Sequence, residues 1–135
     1  MKQIICMKWG TYYTAEYVNR LYNMIARHTT PPFRLCCLTN EPEGIHPAVE
    51  IRPCPVLELP PRMRNGGWRK VSLWAEQVAD LTGEWLFLDL DIILTGPLDA
   101  FFQHQDESDY LVMRNYTTPG RRIGNTSVFR FTVGS

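Results

Sequence analysis

Short apolar runs alternate along this chain with segments whose apolar residues recur at helical spacing. The apolar runs predict strands over residues 2–7, 33–39, 48–52, 85–91, 110–113 and 126–133, with the fourth continuing briefly through 92–94. Helical spacing predicts a first helix capped by Thr14, a second over 68–78 and a short third opened by Pro97. The proline-rich stretch 53–61 predicts a loop. Strands that alternate with helices favour an α/β sandwich with a largely parallel sheet.

The segment 85–91, WLFLDLD, combines a buried strand with two acidic residues. Its four bulky apolar residues predict a strand that delivers Asp89 and Asp91 to its carboxyl end. Residues two apart in a strand point to the same side, so both carboxylates can address one ligand. Two like charges at this spacing repel each other unless a positive group lies between them, and Mg²⁺ is commonly held by one or two carboxylates plus substrate phosphates. The pattern therefore predicts a divalent-cation site; the alternative is a strand end with two solvated acids.

Ligands of such sheets bind beyond the carboxyl ends of the strands. Asp89 and Asp91 are expected at that edge, and the loop after the first strand, residues 8–13, opens onto the same edge. The two segments are therefore expected to share one site.

Composition excludes several classes of function. Fourteen lysines and arginines balance fourteen aspartates and glutamates, so the zero net charge gives no electrostatic case for nucleic acid or an anionic membrane. No run approaches the roughly 18 apolar residues of a membrane span, and the amino terminus is too short for a signal peptide. The four cysteines lack the paired spacing of a zinc site, which favours reduced core thiols. We expect one soluble, cytoplasmic domain over residues 1–135.

Four segments, in their order and spacing, resemble the amino-terminal, nucleotide-sugar-binding part of a GT-A glycosyltransferase with an Asp-X-Asp motif. They are IICMKWGTYY, GGWRKVSLW, FLDLDIILTGPLDAFF and NTSVFRF. The resemblance implies a GT-A three-layer sandwich with a mostly parallel sheet, incomplete at its carboxyl end. It also implies transfer of a sugar from a nucleotide-diphosphate sugar, by default a UDP-sugar, to an unknown acceptor. Asp91 would bind Mn²⁺ or Mg²⁺, which would bind the diphosphate, and Asp89 would contact the ribose or the metal through water. A fixed cation would stabilise the negative charge that the departing sugar leaves behind.

The same resemblance implies further contacts to the nucleotide. The loop after the first strand would hold the base and ribose, with an aromatic ring available for stacking; its residues are Lys8, Trp9, Gly10, Thr11, Tyr12 and Tyr13. Lys70 follows the flexible segment 65–67 and could reach a phosphate, although a solvated lysine explains it equally well.

The implied donor-sugar contacts come from Asn125, Thr126 and Ser127, with Ser127 standing where the family has a glycine. Nearby arginines flank a stretch that could cover the diphosphate, although a solvated basic loop is the more frequent case; they are Arg114, Arg121 and Arg122.

GT-A enzymes usually continue into an acceptor-binding region that often provides a third metal ligand, commonly a histidine. The three histidines here, at 28, 46 and 104, all precede that position, so we expect a fragment that contains the donor half. One alternative is a non-catalytic nucleotide-sugar-binding module or an inactive fragment. Another is a phosphohydrolase of the haloacid dehalogenase type, in which a threonine normally stands two positions after the second aspartate. Here Ile93 occupies that position.

Overall fold

One sheet forms the middle layer of the fold. The computed structural model describes residues 1–10, 12–55, 60–63, 67–104, 110–114, 120 and 124–134. Within them the strands are β1 (Lys2–Lys8), β2 (Phe33–Thr39), β3 (Glu50–Arg52), β4 (Glu84–Leu88), β5 (Tyr110–Arg114) and β6 (Gly124–Thr132). Their order across the sheet is β3-β2-β1-β4-β6-β5. The first four strands pair in parallel and β6 is antiparallel to both its neighbours, so the sheet is mostly parallel as predicted.

Two apolar cores lie on opposite faces of this sheet. On one face pack the helices α1 (Ala15–His28) and α2 (Asp99–Gln103). Val18, Leu21 and Ile25 of α1 lie buried there against inward-facing residues of β1, β2 and β4. The opposite face is covered by Leu73, Val78 and Leu81, whose core includes the alternate residues of the same strands. Because successive strand residues point to opposite faces, one set of strands builds both cores and gives the three layers.

The helix predicted over 68–78 is wrong in type and length. Residues Gly67–Trp74 form a 3₁₀ helix, and Val78 forms an isolated bridge with Leu81. A 3₁₀ helix repeats every three residues, so its residues i and i+3 share a side. Apolar residues spaced by three fit this repeat as well as the α-helical one, which is why the pattern misled.

Helical spacing predicts that Trp74 lies on the core side of its helix, but its side chain is half exposed. One side of its indole packs on Phe129, with ring centroids 5.3 Å apart and an interplanar angle of 29°. Val71, one 3₁₀ turn earlier, is also half exposed, so the outer side of this helix is apolar.

Other predicted elements stand within a few residues of the observed ones. The first helix begins after Thr14 as predicted, although the Thr14 side chain makes no capping hydrogen bond. β3 is shorter than the predicted 48–52. Residues 56–59 of the predicted proline-rich loop lie outside the described residues, and Pro61–Met63 form a 3₁₀ turn. No helix in the described part of the chain is long and apolar enough to cross a bilayer.

All four cysteines are free thiols, and those at 6, 36 and 37 are buried in the sheet. Burial raises the pKa of the Cys36 thiol to about 12. Because the thiolate is the reactive form, this sulfur is an inert part of the core at neutral pH.

Arg130 is a buried cation that ties β6 to α2. Its Nη1 donates to the carbonyl oxygens of Phe101, at 2.5 Å, and His104, at 2.9 Å. Its Nε lies 3.3 Å from Oε2 of Glu84, whose side chain is half exposed. The carbonyls at the end of a helix have no intrahelical partner, so Arg130 satisfies α2 at its carboxyl terminus.

Candidate functional site

Asp89 and Asp91 lie just beyond β4, in a turn. The prediction that the strand continues to Asp91 and through 92–94 is wrong, because β4 ends at Leu88 and 90–91 form a turn. The last ladder contact is the hydrogen bond from Asp89 N to Ser127 O, at 2.9 Å. Leu90 then packs into the core beneath α1, together with Ile92 and Leu94, whereas Ile93 is exposed. These residues alternate like a strand in sequence, but they enter the core from an irregular segment.

Asp89 forms an ion pair with Lys70. The Lys70 ammonium lies 2.6 Å from Asp89 Oδ1, and the two side chains are 14% and 22% exposed. Lys70 Nζ also donates to Thr126 O at 3.1 Å and lies 5.1 Å from the centre of the Phe87 ring. An ammonium has three donors, and the described residues accept from two of them, which leaves one for a ligand. The 3₁₀ helix therefore delivers a fixed positive charge to the end of β4.

Asp91 has a different partner, Tyr13. The Tyr13 hydroxyl donates to Asp91 Oδ2 at 3.0 Å. β1 and β4 are adjacent and parallel, so the loop that follows β1 reaches the turn that follows β4. The two segments therefore meet as expected, although the two carboxylates are held by separate side chains.

The loop after β1 is anchored by Lys8. This side chain is 5% exposed, and its ammonium donates to the carbonyl oxygens of Gly10 and Glu41, both at 3.3 Å. Gly10 has a φ of 65°, a left-handed conformation that glycine adopts without strain. Lys8, predicted to contact the nucleotide, thus holds the loops after β1 and β2 together. Trp9 packs against the core that contains Phe87, and Tyr12 is exposed.

Asn125, Thr126 and Ser127 reach the same edge because β6 is antiparallel to β4. The pairing of β6 with β5 is irregular here: Val112 pairs with Phe129, and the next residue of β5 pairs with Asn125. The intervening residues of β6 are thereby released from β5, and Thr126 O accepts from Lys70. Asn125 Oδ1 accepts from Ser127 N at 3.0 Å, which stabilises this irregular part of β6.

Part of the predicted site lies outside the described residues. This applies to Thr11, Arg121 and Arg122, and to residues 65–66 of the segment predicted to be flexible. Arg114 ends β5, and only its backbone is described.

The two carboxylates fit a hard cation such as Mg²⁺ or Mn²⁺. Each has a second oxygen for which the described residues provide no hydrogen-bond partner. Carboxylates suit both ions, and Mg²⁺ is usually bound through one or two of them plus substrate phosphates. Because Lys70 already neutralises Asp89, the exposed Asp91 is the better placed of the two to carry a cation. The described part of the chain contains no group of three or more His, Cys, Asp or Glu arranged to hold a metal ion.

A cavity of about 500 Å³ lies away from this site, near the amino end of β4. It is lined by Glu76, Gln77, Ala79, Asp80, Leu81, Thr82 and Val133. None of the predicted site residues contributes to it, so the chemistry of the Asp89–Asp91 edge does not depend on it.

No protein-family model and no curated protein matches this chain, whereas solved structures do. The galactosyltransferase LgtC, solved with donor and acceptor sugar analogues, matches with a TM-score of 0.64 and 14% identity, over 98% of this chain and 58% of its own. The bifunctional glycosyltransferase WbbM, in its apo structure, matches with a TM-score of 0.65 and 12% identity, over 98% of this chain and 31% of its own. This chain has a GT-A-like fold. At these identities the likeness establishes the fold alone, and the chain spans less than two thirds of either protein.

Within this GT-A-like fold, sequence reasoning missed three contacts. The first is the ion pair between Lys70 and Asp89, and the second is the hydrogen bond from Tyr13 to Asp91. The third is the hydrogen bond from Lys70 to the carbonyl oxygen of Thr126. No local signal could have revealed them, because each depends on which strands are neighbours in the sheet.

Proposed function

We propose that this chain forms the donor-binding part of a metal-dependent glycosyltransferase that uses a nucleotide-diphosphate sugar, by default a UDP-sugar. One observation carries the proposal: in a fold shared with two glycosyltransferases, Asp89, Asp91 and Lys70 converge beyond the carboxyl end of β4. Ligands of open α/β sheets bind at that edge. The acceptor and the transferred sugar are not part of the proposal.

The chemistry of each residue indicates which part of the nucleotide sugar or which ion it would bind. Asp91, with a contribution from Asp89, would hold Mn²⁺ or Mg²⁺, which supplies positive charge as the sugar leaves the diphosphate. Lys70 provides a second positive charge through its remaining donor. The loop after β1, anchored through Lys8, would hold the base and ribose, and Asn125–Ser127 at the start of β6 would contact the donor sugar.

The sequence also suggests two alternative functions. A haloacid dehalogenase-type hydrolase needs a lysine and an acidic pair on strands downstream of the aspartates. The downstream strands β5 and β6 carry neither a lysine nor an acid, and β6 brings Arg130 instead. A non-catalytic nucleotide-sugar-binding module would bind the nucleotide sugar with the same residues as an enzyme. A measurement of catalytic turnover distinguishes the module from the enzyme.

The proposal predicts that UDP binds this chain only when a divalent cation is present. Calorimetric titration of UDP into the folded chain with Mn²⁺ should give a measurable affinity, and an excess of chelator should remove it. Binding that persists with chelator would contradict the role of the cation. A folded sample that binds no UDP under either condition would contradict the donor role of this chain. Release of UDP from a UDP-sugar would favour the enzyme over the binding module.

Lys70→Ala should weaken UDP binding about tenfold while changing uridine binding by less than about twofold. The physical reason is that a hydrogen bond to a charged group contributes about 1.5 kcal/mol or more, and 1.4 kcal/mol corresponds to a factor of ten. The two affinities are measured by the same calorimetric titration.

Lys2→Ala is the matched control, since Lys2 lies at the other end of β1, in an ion pair with Asp99. Equal losses for UDP and uridine in the Lys70 variant would instead indicate that Lys70 acts by packing on Phe87.

A further inference from the structure

Tyr13 connects the loop after β1 to the carboxylates after β4. Its hydroxyl donates to Asp91 Oδ2, while its ring packs edge-to-face between two other tyrosines. The centroid of the Tyr13 ring lies 4.9 Å from that of Tyr12, with an interplanar angle of 86°, and 5.0 Å from that of Tyr17, with an interplanar angle of 76°. Tyr17 belongs to α1, so Tyr13 is held between a helix and the site. Offset and edge-to-face pairs of this kind are favourable beyond the area they bury.

The geometry leaves Tyr13 as a hydrogen-bond donor rather than an open stacking platform. Its ring is in contact with two neighbouring rings and is partly buried, whereas Tyr12 is 87% exposed. A phenol O–H can donate and an ionised carboxylate can only accept, so the proton of this hydrogen bond comes from Tyr13.

We propose that Tyr13 is a positioning residue for the cation: its hydroxyl fixes Asp91 through Oδ2 and leaves Oδ1 for the metal ion. Asp91 stands exposed on a turn, where its carboxylate would otherwise rotate among several conformations. Ligating carboxylates are themselves generally hydrogen-bonded, and removal of such partners lowers metal affinity. The inference rests on the proposed function, since it places a cation at Asp91, but it assigns Tyr13 a role other than stacking on the base.

The test compares Tyr13→Phe with Tyr12→Phe. Both variants lose one hydroxyl and keep the ring, and they lie next to each other, so the second is a matched control. Binding of Mn²⁺ alone is measured by electron paramagnetic resonance, and binding of UDP is measured by calorimetry with Mn²⁺ and with chelator. We expect Tyr13→Phe to lower Mn²⁺ affinity about tenfold, at the lower end of the 10–100-fold effect of losing such a partner. Tyr12→Phe should change the affinity for Mn²⁺ alone by less than about twofold, because Tyr13 and not the largely exposed Tyr12 donates to Asp91.

The outcomes separate this inference from the proposed function. If the unmodified chain binds Mn²⁺ and Tyr13→Phe binds it equally well, the role of Tyr13 is overturned while the donor site stands. If Tyr13→Phe weakens UDP binding equally with Mn²⁺ and with chelator, the hydroxyl contacts the nucleotide, which also overturns the inference. If the folded, unmodified chain binds no Mn²⁺, the metal site of the proposed function fails and the inference fails with it.

A loss of packing is detected independently. The thermal unfolding midpoint of Tyr13→Phe should match that of Tyr17→Phe, which also lies in the edge-to-face group and keeps its ring. If Tyr17→Phe lowers Mn²⁺ affinity as much as Tyr13→Phe, the effect arises from the aromatic group as a whole, and the positioning role of the Tyr13 hydroxyl is overturned.

Discussion

Asp91→Asn should abolish the Mn²⁺-dependent binding of UDP, with a loss of at least about 100-fold. Loss of a hydrogen-bond partner of a metal ligand lowers metal affinity about 10–100-fold, so loss of the charged ligand itself should exceed that range. The substitution preserves shape and removes the negative charge, and an amide oxygen is a much weaker partner for a divalent cation. Because Asp91 is exposed on a turn, we expect the free energy of unfolding to change by less than about 0.5 kcal/mol.

Two further variants assign the effect to the site. Asp80→Asn is the matched control, since Asp80 is another exposed aspartate, paired with Arg52. It lines the separate cavity described above and should leave UDP binding unchanged. Asp89→Asn should give a smaller loss than Asp91→Asn, because Lys70 already neutralises Asp89. Unchanged Mn²⁺-dependent binding in Asp91→Asn would remove Asp91 as the principal ligand.

Arg130→Met should lower the free energy of unfolding by about 3 kcal/mol. Methionine fills much of the space of the arginine stem, but it leaves the carbonyls of Phe101 and His104 without this donor. Each buried polar group that loses its partner costs about 1–3 kcal/mol. Glu84 is half exposed and can be hydrated, so its contribution to the loss should be small. Urea unfolding followed by circular dichroism provides the measurement.

The control for this prediction is Arg20→Met. Arg20 forms an ion pair with Glu16 on the outer side of α1, where both side chains are more than half exposed. Exposed pairs of this kind contribute about 0.3–0.5 kcal/mol, so this variant should unfold almost as the unmodified chain does. A loss below about 1 kcal/mol in Arg130→Met would show that water replaces the arginine at the end of α2.

The comparison of expectation with structure separates local from non-local information. The pattern predicted the bounds of β1 and β2 within about a residue and the start of α1 after Thr14, because each is a run long enough for its own apolar spacing to decide its type. It failed at Gly67–Trp74, where spacings of three and of 3.6 residues cannot be told apart over a short segment. It also failed after Leu88, where apolar residues enter the core from an irregular segment.

The sequence by itself determined that Asp89 and Asp91 follow a buried strand and lie at a sheet edge together with the loop after β1. The reason is that the apolar residues of this run are buried in the core, whereas the two carboxylates at its end must stay in contact with water or a partner. The tertiary structure alone decided how each carboxylate is held. Tyr13 and Asp91 are 78 positions apart in the chain, and they meet because β1 and β4 are neighbours in the sheet. The same holds for Lys70, whose place beside Asp89 and Thr126 depends on a 3₁₀ helix crossing the sheet and on an antiparallel β6. Strand order is fixed by the packing of the whole core, and no local run of residues contains it.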